Sequence, residues 1–414
     1  MNIKNQGDPI HSIENTTKFV FQTYLRQGKA FVRGEGTTLI DEAGKTYTDF
    51  LAGIAVCNLG HCHPIITQAI ERQARTLVHV SNLFYTVPQA SLAAALVEKS
   101  FADRVFFSNS GAEANEAAIK LARRYFQSKG NKNRYKIITM EQSFHGRTMA
   151  TLSATGQDKI KEGFYPLLEG FIHVPFNDID ALKAAMDDTV AAVMLEPIQG
   201  EGGVIPADPD YLAKVRALCN ETGTLLIFDE IQTGMGRCGT LFAHEGYKIT
   251  PDIMTLAKAL ANGIPIGAML ATQDAAKGFD LGSHGTTFGG SPLATAAALE
   301  VVNIISDEAF LSGVNEKGAY LRGKLLELKE KHSRILDVRG KGLLVGMEID
   351  IDTSTDTGVD KEKDAGFFVA NCFKKGFIIN GIQDKILRFV PPLIIEKTQI
   401  DKLVAVLDSL FQDK

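Results

Sequence analysis

The sequence predicts an α/β protein built on a mainly parallel, helix-covered sheet, followed by a smaller α/β unit. Three observations carry that prediction. From about residue 66 to 295, short apolar runs alternate with segments of helical period, the pattern of a parallel sheet wound with helices. Within it, Leu225-Leu226-Ile227-Phe228 runs straight into Asp229-Glu230-Ile231-Gln232, which reads as a strand buried on both faces and ending in a carboxylate. From about 296 the pattern changes, with helices near 293–305 and 314–331 leading to the strand-like run Gly342 to Ile349.

Composition sets the outer bounds. A chain of 414 residues can bury a sizeable core and divide into two lobes. The well-mixed 44 basic and 49 acidic residues leave a net charge of -5, which argues against nucleic acid or an anionic membrane as a partner. Cys57, Cys62, Cys219, Cys238 and Cys372 are scattered and form no CxxC pair, a usage that fits a reducing compartment. Met1 to Pro9 is polar, and no apolar run reaches the roughly 18 residues of a membrane span. The expectation is a soluble, cytoplasmic protein.

Residues 1–65 read as an N-terminal arm followed by short strands, with turns at Gly34-Glu35-Gly36 and Glu42-Ala43-Gly44-Lys45. His61-Cys62-His63 runs into Pro64 without further ligands and reads as a turn, so no metal is expected. The strand-like Val105-Phe106-Phe107 leads through Ser108-Asn109-Ser110-Gly111 to Ala114, Ala117, Ala118, Leu121, Ala122 and Tyr125 at helical spacing. Ser110, Gly111 and Ala112 therefore open a helix, where free amides could cradle an anion; a plain capped helix fits the same residues. Three more segments combine glycines with charged, hydroxyl or aromatic side chains: Ser143 to Thr148, Glu196 to Gly203, and His284 to Gly290. Gly234-Met235-Gly236-Arg237-Cys238-Gly239 matches G-x-G-x-x-G, yet two acids precede it and no helical period follows, so a dinucleotide site is set aside. Toward the C-terminus, Asp350 to Asp364 reads as an exposed loop. Ile386-Leu387-Arg388-Phe389-Val390 is a strand ended by Pro391-Pro392, and a helix follows behind a Thr398-x-x-Asp401 cap. Arg388 in that apolar strand is a candidate anion clamp or a structural ion pair.

Chemistry enters with two residues. Asp229 stands at the carboxyl end of its strand, where open α/β sheets place ligands, and a carboxylate buried there needs a positive partner; a helix cap or a surface ion pair would also suit it. Lys258 sits in the apolar run Thr255 to Leu260, and a desolvated lysine becomes a nucleophilic amine, although a snorkelling surface lysine has the same appearance. Together, an acid for a ring nitrogen and a lysine for an imine are what a pyridoxal phosphate site requires.

The ordered motifs resemble those of the class III pyridoxal-phosphate-dependent aminotransferases of fold type I, and most closely the acetylornithine aminotransferase group. The resemblance runs through Arg33 to Gly36, Leu51 to Val56, Asn58 to Pro64, Ser108 to Asn115, Phe144 to Thr148, Glu196 to Gly203, Asp229 to Gly236, Lys258, Gly285 to Gly290 and Arg388 to Leu393. It implies a large cofactor-binding domain over 66–295 with a mainly parallel seven-stranded sheet, and a small domain from 296–414 together with part of 1–65. Lys258 would be the Schiff-base lysine and Asp229 the partner of the pyridinium nitrogen. Phe144 would stack on the ring, Gln232 would approach its phenolic oxygen, and Ser110, Gly111 and Ala112 would hold the phosphate. Thr287 would reach the phosphate of a neighbouring subunit in a homodimer.

For substrates, the resemblance implies that Arg147 clamps the carboxylate remote from the reacting amine and Arg388 the α-carboxylate of glutamate or 2-oxoglutarate. Glu201 would neutralise Arg388 when a δ-amino substrate is bound, and Tyr24 would border the pocket. The chain departs from its relatives at Gly28-Lys29, where a proline is common, and at Ser291, where asparagine is usual. The activity so implied is a ping-pong transfer of the terminal amino group of N2-acetylornithine to 2-oxoglutarate in arginine biosynthesis. Ornithine, succinylornithine, 4-aminobutyrate or lysine-type amines would use the same chemistry. A related aminomutase would need no oxo acid, which Arg388 with Glu201 argues against, and a cofactor-binding pseudoenzyme would lack a catalytic residue, whereas all those named are present.

Overall fold

The computed structural model describes residues 9–351 and 364–412. Most of the expected Asp350–Asp364 loop, 352–363, lies outside the described residues.

Near the N-terminus, β1 (Phe31–Glu35), β2 (Thr38–Asp41) and β3 (Thr46–Asp49) form an antiparallel meander. The large sheet then takes β4 (Arg104–Ser108), β5 (Lys136–Met140), β6 (Phe171–Val174) and β7 (Val190–Leu195). After β7, a two-stranded ribbon forms from β8 (Ile198–Gln199) and β9 (Ile205–Pro206). The large sheet resumes with β10 (Leu225–Asp229), β11 (Ile253–Leu256) and β12 (Gly267–Ala271), in the spatial order β4-β12-β11-β10-β7-β5-β6. Only β12 runs antiparallel to its neighbours. Every residue of β7, β10, β11 and β12 is buried, because helices cover both faces; this is why these strands lack a polar alternation.

The helix Gly111–Ser128 lies on this sheet through Ala114, Ala117, Ala118, Leu121 and Ala122, four of them alanines that allow a close approach. Its start is fixed reciprocally: the Ser110 hydroxyl accepts from the Glu113 amide at 3.2 Å, and the Glu113 carboxylate accepts from the Asn109 amide at 2.6 Å.

In the C-terminal part, β13 (Ile335–Lys341), β14 (Leu344–Ile349), β16 (Asn380–Ile382) and β17 (Ile386–Phe389) make an antiparallel sheet in the order β13-β14-β17-β16. The short β15 (Phe377–Ile378) leaves it and pairs in parallel with β3, so the N-terminal meander and the C-terminal part share a sheet. Their common core gathers Phe50, Leu321, Leu325, Phe368, Leu387, Phe389, Leu403 and Leu407.

Three expectations need correction here. The strand expected over 342–349 is present from Leu344, but Gly342-Leu343 is the turn of a hairpin whose other strand, Ile335–Lys341, escaped notice because Asp337, Arg339 and Lys341 interrupt its apolar pattern. The helix expected from 314 begins at Glu308, behind Asp307, whose carboxylate accepts from the Phe310 amide at 2.8 Å. Thr398 does not cap the last helix, which already begins at Lys397. Instead Gln399 reaches back to accept from the Glu396 amide at 3.0 Å, and Asp401 accepts from the Tyr320 hydroxyl at 2.6 Å.

The junction of β4, β12 and the helix start is tight. A Cβ added at Gly267 would lie 2.2 Å from the Ser110 carbonyl oxygen and 2.5 Å from Ser108 Oγ. Gly267→Ala is therefore predicted to cost about 1–3 kcal/mol of stability, as overpacking does, and to lower the urea midpoint. An unchanged midpoint would contradict this packing.

Candidate active site

The carboxyl ends of β4, β5, β7, β10 and β11 converge on one cavity of about 390 Å3. That is where a parallel sheet collects the loops that follow its strands. Asp229 is the last residue of β10, the middle strand of the sheet, and is 3 % exposed. Its Oδ2 accepts from His145 Nδ1 and from Asn115 Nδ2, each at 2.8 Å, and its Oδ1 accepts from the Ile231 amide at 3.1 Å. Asn115 is itself held, since its Oδ1 accepts from Thr255 Oγ1 at 2.7 Å and its Nδ2 also donates to the His145 carbonyl at 2.7 Å. The carboxylate is thus fixed from one side, with Asp229 lining the cavity.

Lys258 follows β11 and projects into the same cavity. Its backbone has φ +42, a left-handed conformation that costs a side-chain-bearing residue of order 1–3 kcal/mol and is found where surrounding structure enforces it. Its Nζ makes no hydrogen bond or ion pair among the described residues. Burial lowers its pKa from the ordinary lysine value; Glu201 pulls it back up and Arg388 lowers it further.

Glu201 and Arg388 form the second group. Arg388 is 1 % exposed, and its Nη1 donates to Glu201 Oε1 at 2.5 Å and to Gln232 Oε1 at 3.2 Å. Gln232 in turn donates to Glu201 Oε1 at 3.2 Å. Burial works against ionisation of Glu201, but Arg388 and Lys258, with the hydrogen bonds from Arg388 and Gln232, hold its carboxyl below the usual value. On the other edge of the guanidinium, Nε and Nη2 both donate to Asn380 Oδ1, at 3.1 and 2.6 Å.

A third carboxylate, Glu196, joins two of the loops. It accepts from the Phe144 amide at 3.0 Å and from the Gly200 amide at 3.1 Å, and burial together with Asp229 raises its pKa. Phe144 and Arg147 line the cavity, with the Arg147 guanidinium 5.7 Å from the centre of the Phe144 ring. At the helix start, Ser110, Gly111 and Ala112 line it too, and the first-turn amides have no carbonyl partner within the helix.

The structure therefore brings together Ser110, Gly111, Ala112, Phe144, Arg147, Glu201, Asp229, Gln232 and Lys258 around one cavity, with Arg388 behind Glu201. It does not place Tyr24 or Thr287 there. Tyr24 is 74 % exposed in the N-terminal segment, and Thr287 lines a separate small cleft with His79, Asn82 and Phe288. Sequence reasoning missed Asn115, His145, Glu196 and Asn380 as site residues. A helical asparagine and a loop histidine gave no signal alone; only the need of a buried Asp229 for donors pointed toward them.

The aminotransferase class-III family model matches residues 24–411. The chain is a class III aminotransferase. It is 50% identical to the acetylornithine aminotransferase of Caldanaerobacter subterraneus subsp. tengcongensis over 396 residues, covering 96% of this chain and 98% of the relative. The structure of N-acetylornithine aminotransferase from Stenotrophomonas maltophilia superposes with a TM-score of 0.82 at 38% identity, covering 97% of this chain and 98% of that one. Ornithine aminotransferase from Toxoplasma gondii, described with partial occupancy of PLP at its active site, gives 0.90 at 33% identity, with 97% and 93% covered. The fold is accordingly that of the type I enzymes, and the aminotransferase uses pyridoxal phosphate. Its cavity fits that cofactor: it offers an unpaired amine, a carboxylate pinned by two side-chain donors, and free amides at a helix start for a phosphate.

Glu230, next to Asp229, turns away from this chemistry. Its carboxylate accepts from the amides of Ala243 and His244, the latter at 2.8 Å, and burial pushes it up to about 8 from an ordinary 4.5. An acid whose pKa is raised by folding binds its proton more tightly in the folded state, so stability present at low pH is lost as pH rises through about 8. Glu230→Gln is predicted to flatten the fall in urea midpoint between about pH 5 and 8. Equal slopes for variant and parent would contradict this.

Proposed function

We propose that this aminotransferase moves the terminal amino group of N2-acetylornithine to 2-oxoglutarate, giving the semialdehyde and glutamate, in arginine biosynthesis. The observation that carries the reading is the Arg388–Glu201 pair beside Lys258, with a second arginine, Arg147, on the same cavity. Ornithine-type amines place their only carboxylate far from the reacting carbon, so a charge-neutral inner site suits them, and Arg147 takes the distant carboxylate. Glutamate and 2-oxoglutarate carry a carboxylate beside the reacting carbon, which Arg388 can take once Glu201 gives it up. One cavity then serves both halves of a ping-pong cycle. The names of the relatives at 50% and 38% identity support the acetylated amine over ornithine, succinylornithine or 4-aminobutyrate.

Bound pyridoxal phosphate supplies an electron sink that acidifies the carbon bearing the amine. Asp229, held in place by hydrogen bonds from Asn115 and His145, would pair with the protonated ring nitrogen. Phe144 would cover one face of the ring, and Gln232 would lie near its oxygen. The amides of Ser110, Gly111 and Ala112 would take the phosphate. Lys258 Nζ, whose pKa burial lowers from the ordinary lysine value, would take up the proton that leaves the reacting carbon and carry it to the far side of the amine nitrogen.

We further propose a cytoplasmic homodimer with shared sites, in which Thr287 serves the partner's phosphate and Tyr24 borders a pocket. Exposed Phe21, Tyr24, Leu25, Leu83, Tyr85, Leu281 and Phe288 support a covered apolar surface near these residues. Free thiols at all five cysteines support a reducing compartment, and no helix among the described residues is long and apolar enough to cross a membrane. Residues 66–295 form the large domain on this reading, with 296–414 and part of 1–65 as the small one.

Glu201→Gln leaves Arg388 without its anionic partner. The variant is predicted to favour the glutamate half-reaction over the acetylornithine half-reaction by about tenfold, the order of one charge-assisted contact, measured by single-turnover absorbance of each half. An unchanged ratio would rule out the exchange of partners.

A further inference from the structure

Arg388 is held from two sides, and the two sides are chemically different. A guanidinium carries five N–H groups in a rigid planar fork. Glu201, Gln232 and the Gly200 carbonyl lie against Nη1, the last at 3.4 Å. Asn380 Oδ1 alone takes the opposite edge, accepting from Nε at 3.1 Å and from Nη2 at 2.6 Å. Asn380 stands directly across from Arg388 in the β16–β17 pair, so the sheet itself sets this contact. Neither residue reaches the other by way of a flexible loop.

We propose that Asn380 is the positioning residue that keeps the Arg388 guanidinium aimed at the cavity while its carboxylate partner changes, and that it thereby selects how an α-carboxylate docks. This rests on the reading of Arg388 as the α-carboxylate clamp. When Glu201 leaves, Arg388 loses its one anionic partner, but the Nε–Nη2 edge stays bound to a neutral oxygen on a strand. Because Asn380 is uncharged, it fixes orientation without cancelling the positive charge that the incoming carboxylate needs. With the Nε–Nη2 edge occupied, and Gln232 and the Gly200 carbonyl still against Nη1, the hydrogens open to a carboxylate are the one that Nη1 gave to Glu201 and the second hydrogen of Nη2. A substrate carboxylate therefore docks end-on across Nη1 and Nη2, and a side-on approach through Nε is closed. In the amine half-reaction Glu201 covers Arg388, so Asn380 has little to hold in place.

The test is a split between half-reactions. Asn380→Ala in the holoenzyme is expected to raise the KM for 2-oxoglutarate about tenfold, the order of one lost charge-assisted hydrogen bond, and to leave the rate and half-saturation of the N-acetylornithine half-reaction within about twofold. A merely structural loss would weaken both halves together. Arg388→Ala is run alongside. If it leaves the KM for 2-oxoglutarate unchanged, the clamp reading fails and takes this inference with it. If Arg388→Ala raises that KM while Asn380→Ala does not, Asn380 alone is overturned. Should Asn380→Ala prove unstable, Asn380→Asp decides the matter. It keeps an oxygen at the same edge and so the parent's melting temperature, but adds a carboxylate that competes with substrate. The KM for 2-oxoglutarate is expected to rise, and an unchanged KM overturns the proposal.

Discussion

Much of this site depends on one buried carboxylate. Asp229 ends the middle strand of the large sheet with almost no access to water, and such a charge is tolerable only with donors in place. Meeting that need fixes three other parts of the molecule. Asn115 must come from the helix Gly111–Ser128, so the helix is set in depth against the sheet, and its first-turn amides arrive at the cavity. His145 must come from the loop after β5, which brings Phe144 and Arg147 with it. Thr255 must steady Asn115, which places the end of β11 and hence the backbone leading to Lys258.

Around that fixed point the charges are balanced rather than isolated. Lys258, Glu201 and Arg388 act on one another, so the lysine is pulled down by burial and by the arginine while the glutamate restrains the fall. A lysine in such surroundings gives up its proton more readily than an exposed one, which a nucleophile or proton carrier needs. Glu196 works differently: its carboxylate accepts from the backbone amides of Phe144 and Gly200 and so ties their two loops together, while its charge adds to that of Glu201 in restraining the fall of the Lys258 pKa. Local strain lies in the same region. Lys258 and the run Ala52, Gly53, Ile54 and Ala55 all have positive φ, and the latter leads to Val56 on the cavity wall.

What could be read from the sequence follows from this physics. Strands buried on both faces announce themselves as short apolar runs, so β10 was legible with Asp229 as the charge at its end, and Lys258 stood out as the one charge in the apolar run Thr255 to Leu260. The small sheet was harder because β13 carries Asp337, Arg339 and Lys341, and a half-exposed strand with charges looks like a loop. The left-handed turn at Ala52–Ala55 left no mark beyond Gly53, since alanine and isoleucine do not favour positive φ and only tertiary packing imposes it. Asn115, His145 and Asn380 were silent for another reason: each acts through a partner far away in the chain, and a polar residue's partner cannot be read from its neighbours. The resemblance to a family supplied Arg147, Glu201 and Arg388 as a set; the structure supplied what holds them.

The measurement that tests this account most directly uses the purified, cofactor-loaded protein with N-acetylornithine, ornithine or 4-aminobutyrate, each alone and without any oxo acid. The visible absorbance of the cofactor is followed, and 2-oxoglutarate is added at the end. The account predicts that N-acetylornithine bleaches the band fastest and that 2-oxoglutarate restores it. A wide margin in favour of another amine, or a band that no amine bleaches, would contradict it.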